Sequence, residues 1–354
     1  MIRAFDGSLA DAEGLLAVEQ ATFNECPYTA QEVRAMLQPG SSRVPRPEGV
    51  PPASGGPQRA WLAIDDNPAG AHGRAPLQEN VAGFVIAFPV SSLQGAWWEI
   101  DLLAVHPERQ GQGLGRQLIQ AAATAGEGLA GRSRAVVATD NRHSARAFVR
   151  AGFQAEPSTC TLLIRRFEEQ APWPQPAPGV SVHEVATAAD DSPRRSPPSR
   201  RSPPAEGGDE GHAGPHAPRA DSAANRGGLA TGDRSRAEWE AAAWQVPPPA
   251  SGSPGLTLLL AEQHGRPAGH AELIEVETLL YHGIWIESLA ASRRTLRETL
   301  VYQAMYRAMA AGLDEVSAMV PRQNQPLRHT LLAAGFRSLG AYRWFTADLP
   351  LSDL

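Results

Sequence analysis

The spacing of hydrophobic and polar positions along this chain changes several times, and each change predicts an element. Leu9, Leu15 and Leu16 recur at helical spacing over Ser8–Glu19, and Thr29 with Glu32 forms a capping-box pair that opens a second helix. Apolar or alternating runs at Arg59–Ile64, Val81–Val90 and Trp97–Val105 predict three strands. The last breaks at Pro107, passes three glycines and enters an apolar helix that runs to about Ala125. Arg134–Thr139 reads as a strand, Asn141–Arg150 as a short helix and Phe153–Phe167 as closing strands.

The same succession then returns. Val180–Val185 is a short strand, and Ser235–Trp244 is a predicted helix with its own capping-box pair, Ser235 and Glu238. Leu256–Gln263, His270–Glu277 and Ile284–Ala290 read as strands, Thr295–Ala311 as a helix, Val316–Val320 as a strand and Asn324–Ala334 as a helix. Asn141 precedes Gly152-Phe153 by eleven residues, and Asn324 precedes Gly335-Phe336 by the same eleven. Glu99 to Ala104 aligns with Trp285 to Ala290. The expected class is α/β with a mixed sheet, built by tandem duplication of one fold.

Breakers divide the chain. Pro39–Pro57 is a predicted loop, and Pro172–Pro178 is a proline-dense connector. Residues 187–234 contain almost no large apolar side chain, so burial cannot offset ordering entropy and disorder is predicted. Their front part, Arg194 to Arg201, is locally basic, but nearby acidic residues nearly balance it, and it reads as solvated rather than as a polyanion site. The expected organisation is an N-terminal domain over 1–170, a connector and first strand over 171–186, an insert over 187–234, and the rest of a second domain over 235–354.

Composition narrows the function classes. The net charge of -6 argues against nucleic acid or an anionic membrane as partner. No apolar stretch approaches the roughly 20 residues that span a bilayer, and the first residues, with Arg3, Asp6, Asp11 and Glu13, lack a signal-peptide core. Two cysteines, Cys26 and Cys160, suit a reducing cytoplasm and give no disulfide framework. All the Lys-or-Arg positions are Arg, which with the abundant Ala, Gly and Pro reads as the mark of a GC-rich genome. The histidines show no ligand spacing, so no metal is expected.

The most legible chemistry lies between Val105 and Leu118. Gly111, Gly113 and Gly115 stand at every second position just before and inside a helix N-terminus. Glycines permit a tight turn with several N–H groups aimed at one spot, where the helix presents its positive end. Such a cradle suits a phosphate or pyrophosphate. The second copy has Ser292-Arg293-Arg294-Thr295-Leu296-Arg297 at the place aligned with Gln110–Gly115, with no glycine between Gly283 and Gly312. One active site, in the N-terminal half, is therefore expected. A dinucleotide-binding oxidoreductase fits less well: the spacing is G-x-G-x-G, and about five residues separate strand from first glycine.

Gln110-x-x-Gly113-x-Gly115 after Leu-Ala-Val-His-Pro closely resembles the acyl-CoA pyrophosphate loop of the GNAT (Gcn5-related) N-acetyltransferases, and the whole chain resembles a tandem member. The resemblance implies acetyl-CoA as co-substrate. It implies that the backbone of Leu103, Ala104 and Val105 pairs with the pantetheine arm, and that Gln110, Gly111, Gln112, Gly113, Leu114, Gly115 and Arg116 hold the pyrophosphate. It puts Asn141, Ser144 and Phe148 beside the cofactor; Asn141 is equally a plain helix N-cap.

Transfer of an acetyl group to an amine needs a base. Glu99 matches the glutamate of histone-acetyltransferase-like members; it reads equally as a strand carboxylate facing solvent or a cationic substrate. Alternation puts it on one face with Asp101 and Leu103. The resemblance also implies a thiolate-protonating tyrosine seven residues after the helix asparagine, where this chain has Phe148. The acid is then absent, water, or another group such as Ser144, Tyr28 or Cys160. Glu25, Tyr28 and Asp101 are the acceptor-binding candidates, for a small-molecule or protein amine. The competing reading is a non-catalytic acyl-CoA sensor that kept the cradle.

Overall fold

The computed structural model describes residues 1–23, 28–37, 58–65, 81–167, 177–185, 256–279 and 281–351. The first half contains β1 (Ile2–Ala4), α1 (Leu9–Phe23), α2 (Ala30–Leu37), β2 (Arg59–Ile64), β3 (Val81–Ser92), β4 (Gly95–Val105), α3 (Leu114–Gly126), β5 (Arg132–Ala138), α4 (Arg142–Arg150) and β6 (Gln154–Arg166). The second contains β7 (Val180–Val185), β8 (Leu256–Gln263), β9 (Arg266–Glu277), β10 (His282–Ala291), α5 (Arg294–Ala310), β11 (Glu315–Pro321), α6 (Gln325–Ala333) and β12 (Arg337–Asp348). Helix ends fall mostly within a residue or two of those predicted, α1 running four further, and the closing strands of the first half are one long strand. The predicted helix at 235–244, the insert at 187–234 and Glu25 lie outside the described residues.

All described strands join one sheet in the order β1-β2-β3-β4-β5-β12-β6-β11-β10-β9-β8-β7. The order is a near-palindrome, as a duplicated fold facing its copy requires. At the centre the copies exchange strands. β12, the last strand of the second half, pairs antiparallel with β5 of the first, and β6 of the first pairs antiparallel with β11 of the second. β6 and β12 also pair with each other. The cores follow: Phe345 of β12 packs with Trp98, Phe148 and Phe153 under α3 and α4, while Leu163 of β6 packs in the second-half core under α5. α1 and α2 cover the opposite face through Leu15, Leu62, Phe84 and Leu102.

Two features of β4 and β5 position the site. They pair in parallel only over Trp98–Ile100 with Ser133–Ala135, and beyond that they diverge. In addition, the β3–β4 register shifts so that Ile86 faces Leu102 and Ala87 faces Ile100, leaving Asp101 as the extra residue of a β-bulge. A bulge reverses the alternation. Trp98 and Ile100 therefore pack with α3, but Leu102 and Ala104 pack with α1 and α2. Glu99 and Leu103 consequently lie on opposite faces, which corrects the shared face that simple alternation predicts. β10 carries the matching bulge, between Ile286 and Ser288, at Glu287.

Candidate active site

The glycine segment begins where β4 ends. A 3-10 turn, Pro107–Arg109, follows His106, and Arg109 forms an ion pair with Asp65 at the end of β2 that fixes the turn. Gln110 donates from Nε2 to the carbonyl of Val105 at 3.1 Å. Gly111 and Gly113 adopt φ of 78° and 83°, left-handed conformations that penalise any other residue, and each faces open space where a Cβ would project. Gly113 is the N-cap of α3 and offers no side-chain capping bond, so no cap side chain takes up the first helical N–H groups. Gly115 differs: a Cβ there would touch Ala147 of α4 and Val105 and Leu103 of β4 at 3.7–4.0 Å, in the mouth of the β4–β5 divergence. Gln112 and Arg116 are exposed beside the loop.

The second half lacks this loop altogether. Eight residues, 106–113, separate β4 from α3, whereas two, Ser292 and Arg293, separate β10 from α5. Arg297 donates to the carbonyl of Ala291 at 3.1 Å, closing the strand end as Gln110 does in the first half. Leu296 is in the core, while Arg293 and Arg294 are exposed. The residue-by-residue alignment of Gln110–Gly115 with Ser292–Arg297 is thus replaced by a deletion of six residues.

A cavity of about 450 Å3 passes through the divergence of β4 and β5. On the α4 side its walls include Leu103, Asn141, Ser144 and Phe148; on the other they include Glu99, Asp101, Arg134, Tyr342 and Trp344. Asn141 caps α4, its Oδ1 accepting from the Ser144 N–H at 3.0 Å. Phe148 is buried, edge-on to Phe153 and 5.8 Å from the ring of Phe345, so it is a core ring with one edge at the cavity. Tyr28 is half-buried against the α1–α2 core, away from the cavity lining. Cys160 is buried, which pushes its thiol above its ordinary value despite a hydrogen bond from Trp344.

Charge is concentrated around Arg134. Its Nε donates to Glu99, and its two terminal nitrogens donate to Glu287 at 2.5 and 3.0 Å. The guanidinium lies 5.3 Å from the ring centre of Trp97 and 4.8 Å from that of Trp344. Burial works against its charge, yet the two carboxylates outweigh that and hold it above its ordinary value. Burial likewise raises Glu99 to about 7, against the pull of Arg134 and with the help of Glu287 and Asp101. Burial raises Asp101 to about 6, a Thr278 hydrogen bond opposing it, and one Asp101 oxygen is enclosed without a hydrogen-bond partner.

Sequence reasoning missed Arg134, Glu287, Trp344 and Tyr342. An arginine at the start of an apolar strand is the one available signal, since a buried cation needs carboxylate partners. Tyr342 comes opposite Ala138 only because β12 inserts beside β5. Burial and the charge of Asp140 raise its phenol above the ordinary value, and among the described residues its hydroxyl has no hydrogen-bond partner. No group of three or more potential metal ligands occurs among the described residues, and no described helix is long and apolar enough to cross a membrane.

Residues 35–153 match the Acetyltransferase (GNAT) family. The match lies within the first half of the chain, and a GNAT protein of known structure shares the fold over the full length. That protein, a GCN5-related N-acetyltransferase from Sphaerobacter thermophilus, is 17% identical, with a TM-score of 0.51 covering 100% of this chain and 97% of its own. A GCN5-related glucosamine N-acetyltransferase region in a fungal multi-domain GH3 beta-N-acetylglucosaminidase aligns at 13% identity and a TM-score of 0.50, over 98% of this chain and 38% of that one. A tandem GNAT protein from the clavulanic acid biosynthesis pathway aligns over 100% of this chain and 99% of its own, at 14% identity and a TM-score of 0.47. No curated protein matches the chain.

Proposed function

We propose that this protein is an acyl-CoA-dependent N-acetyltransferase with one active site, in the first half, that passes an acetyl group directly to a primary amine. The observation that carries the reading is the succession of two features along β4: Gly115 of the glycine turn lies against Leu103, which lines the cavity, and the buried carboxyl of Glu99 lines the same cavity further along the strand. Left-handed glycines and a helix N-terminus without a side-chain cap suit a pyrophosphate. The open strand edge between Leu103 and Val105 suits an extended arm carrying amide groups. Gly115 leaves the room that arm needs.

Acetyl-CoA supplies an activated acyl group as a thioester. Glu99 accepts the proton that the amine loses as its nitrogen bonds to the acyl carbon and the carbon–sulfur bond breaks. A carboxyl raised to about 7 is suited to that exchange at neutral pH. The departing sulfur takes a proton; Phe148 has none to give, whereas Tyr342 brings an unbonded phenol to the same cavity from the exchanged strand. Asp101, in the cavity wall with one oxygen unpartnered, suits an amine-bearing acceptor. Turnover is tested by following free CoA thiol from acetyl-CoA across a panel of primary amines, with Glu99→Gln alongside. Turnover that Glu99→Gln abolishes supports the enzyme; tight acetyl-CoA binding without turnover on any amine supports the sensor.

A further inference from the structure

Through Arg134 the second half reaches the proton-accepting carboxylate of the first. The arginine is shared: Nε serves Glu99, and the terminal nitrogens serve Glu287. Trp97 and Trp344 stack on it, and Trp344 belongs to the exchanged strand. Glu287 occupies the second-half position that matches Asp101, and each is the extra residue of its bulge. The bulge takes the side chain out of strand alternation. In the second half that turn brings a carboxylate across to Arg134.

We propose that Glu287 is a positioning residue for the first-half site, acting through Arg134 to set the protonation of Glu99. The reasoning is electrostatic. An arginine paired with one carboxylate holds it firmly ionised, but here its charge is divided between two. Glu287 therefore leaves Glu99 more weakly held and more basic. The groups facing Glu99 are Arg134 from β5, Glu287 from β10 and Asp101 from its own strand, with Phe88 of β3 opposite it in register. A half that has lost its own cradle thus remains part of the remaining site. The inference rests on reading Glu99 as the proton acceptor, and the two fail separately.

The test is infrared titration of the carboxyl band of the full-length protein, which needs no acceptor. The band that Glu99→Gln removes is that of Glu99. In Glu287→Gln its midpoint should fall to lower pH by on the order of one unit, and in Glu287→Asp, which keeps the charge, it should stay near the wild-type value. Glu287→Met, neutral and similar in volume, gives the same comparison if the glutamine variant does not fold. An unmoved midpoint in the neutral variants overturns the proposal and leaves the pair as a brace between halves. Retained turnover in Glu99→Gln overturns the proton-acceptor reading instead.

Discussion

Tyr342 stands opposite Ala138, an antiparallel pair that places the end of the chain beside the fifth strand of its first half. Through this pair and its neighbours, β12 separates β5 from β6, and neither half has a complete sheet of its own. Residues 1–170 expressed alone leave the edges of β5 and β6 open, and unpaired edges promote association. The fragment should be insoluble or form heterogeneous oligomers by size-exclusion chromatography. Co-expression with residues 171–354 should restore a one-to-one soluble complex. A soluble monomeric fragment would show that β6 closes on β5 unaided.

Gly113 and Gly115 should separate by phenotype. Gly113→Ala forces a left-handed alanine and should cost roughly 1–2 kcal/mol of stability by denaturant titration. Gly115→Ala sits in a helix with room for a methyl, and alanine exceeds glycine there by about 1 kcal/mol. Its melting temperature should hold or rise while acetyl-CoA binding weakens, because the methyl enters the cleft mouth. Equal effects on stability and binding in both variants contradict the assignment.

Protonation of Glu99 predicts a pH profile. A base is active when deprotonated, so kcat/KM should rise with pH and level off above about 7. Glu99→Gln should lower it by roughly 10²–10⁴ and remove that limb. Stability carries the same group with the opposite trend. The folded carboxyl binds its proton more tightly than the ordinary 4.5, so its contribution is present at low pH and lost between about 4.5 and 7. The stability difference between wild type and Glu99→Gln should change across that interval in denaturant titrations.

If Tyr342 protonates the departing sulfur, Tyr342→Phe should lower kcat by about 10²-fold and leave acetyl-CoA affinity near wild type. Among the described residues the hydroxyl has no hydrogen bond to lose, so the melting temperature should be little altered. Unchanged kcat would assign the proton to water.

Much of this is legible in the sequence. Local periodicity and turn chemistry mark the strands and helices, the eleven-residue Asn-to-Gly-Phe spacing marks the duplication, and the glycines mark the turn that leads into α3. The strand exchange is not legible, because the alternation of residues 154–166 and 337–348 is the same whichever fifth strand they join. The bulges at Asp101 and Glu287 are also hidden, since a register shift belongs to the pairing and not to either strand. Simple alternation therefore groups Glu99 with Leu103, whereas the bulge sets them on opposite faces. Tyr342 gains its position from a contact between halves, and so does half of the set of groups around Arg134, namely Glu287 and Trp344.

Isothermal titration of the full-length protein with acetyl-CoA tests the asymmetry between the halves most directly. One molecule per chain is predicted, with binding weakened in Gly115→Ala and unaffected by Arg293→Ala in the second half. Two molecules per chain, or binding that survives in Gly115→Ala and fails in Arg293→Ala, would contradict a single site at the first-half glycine turn.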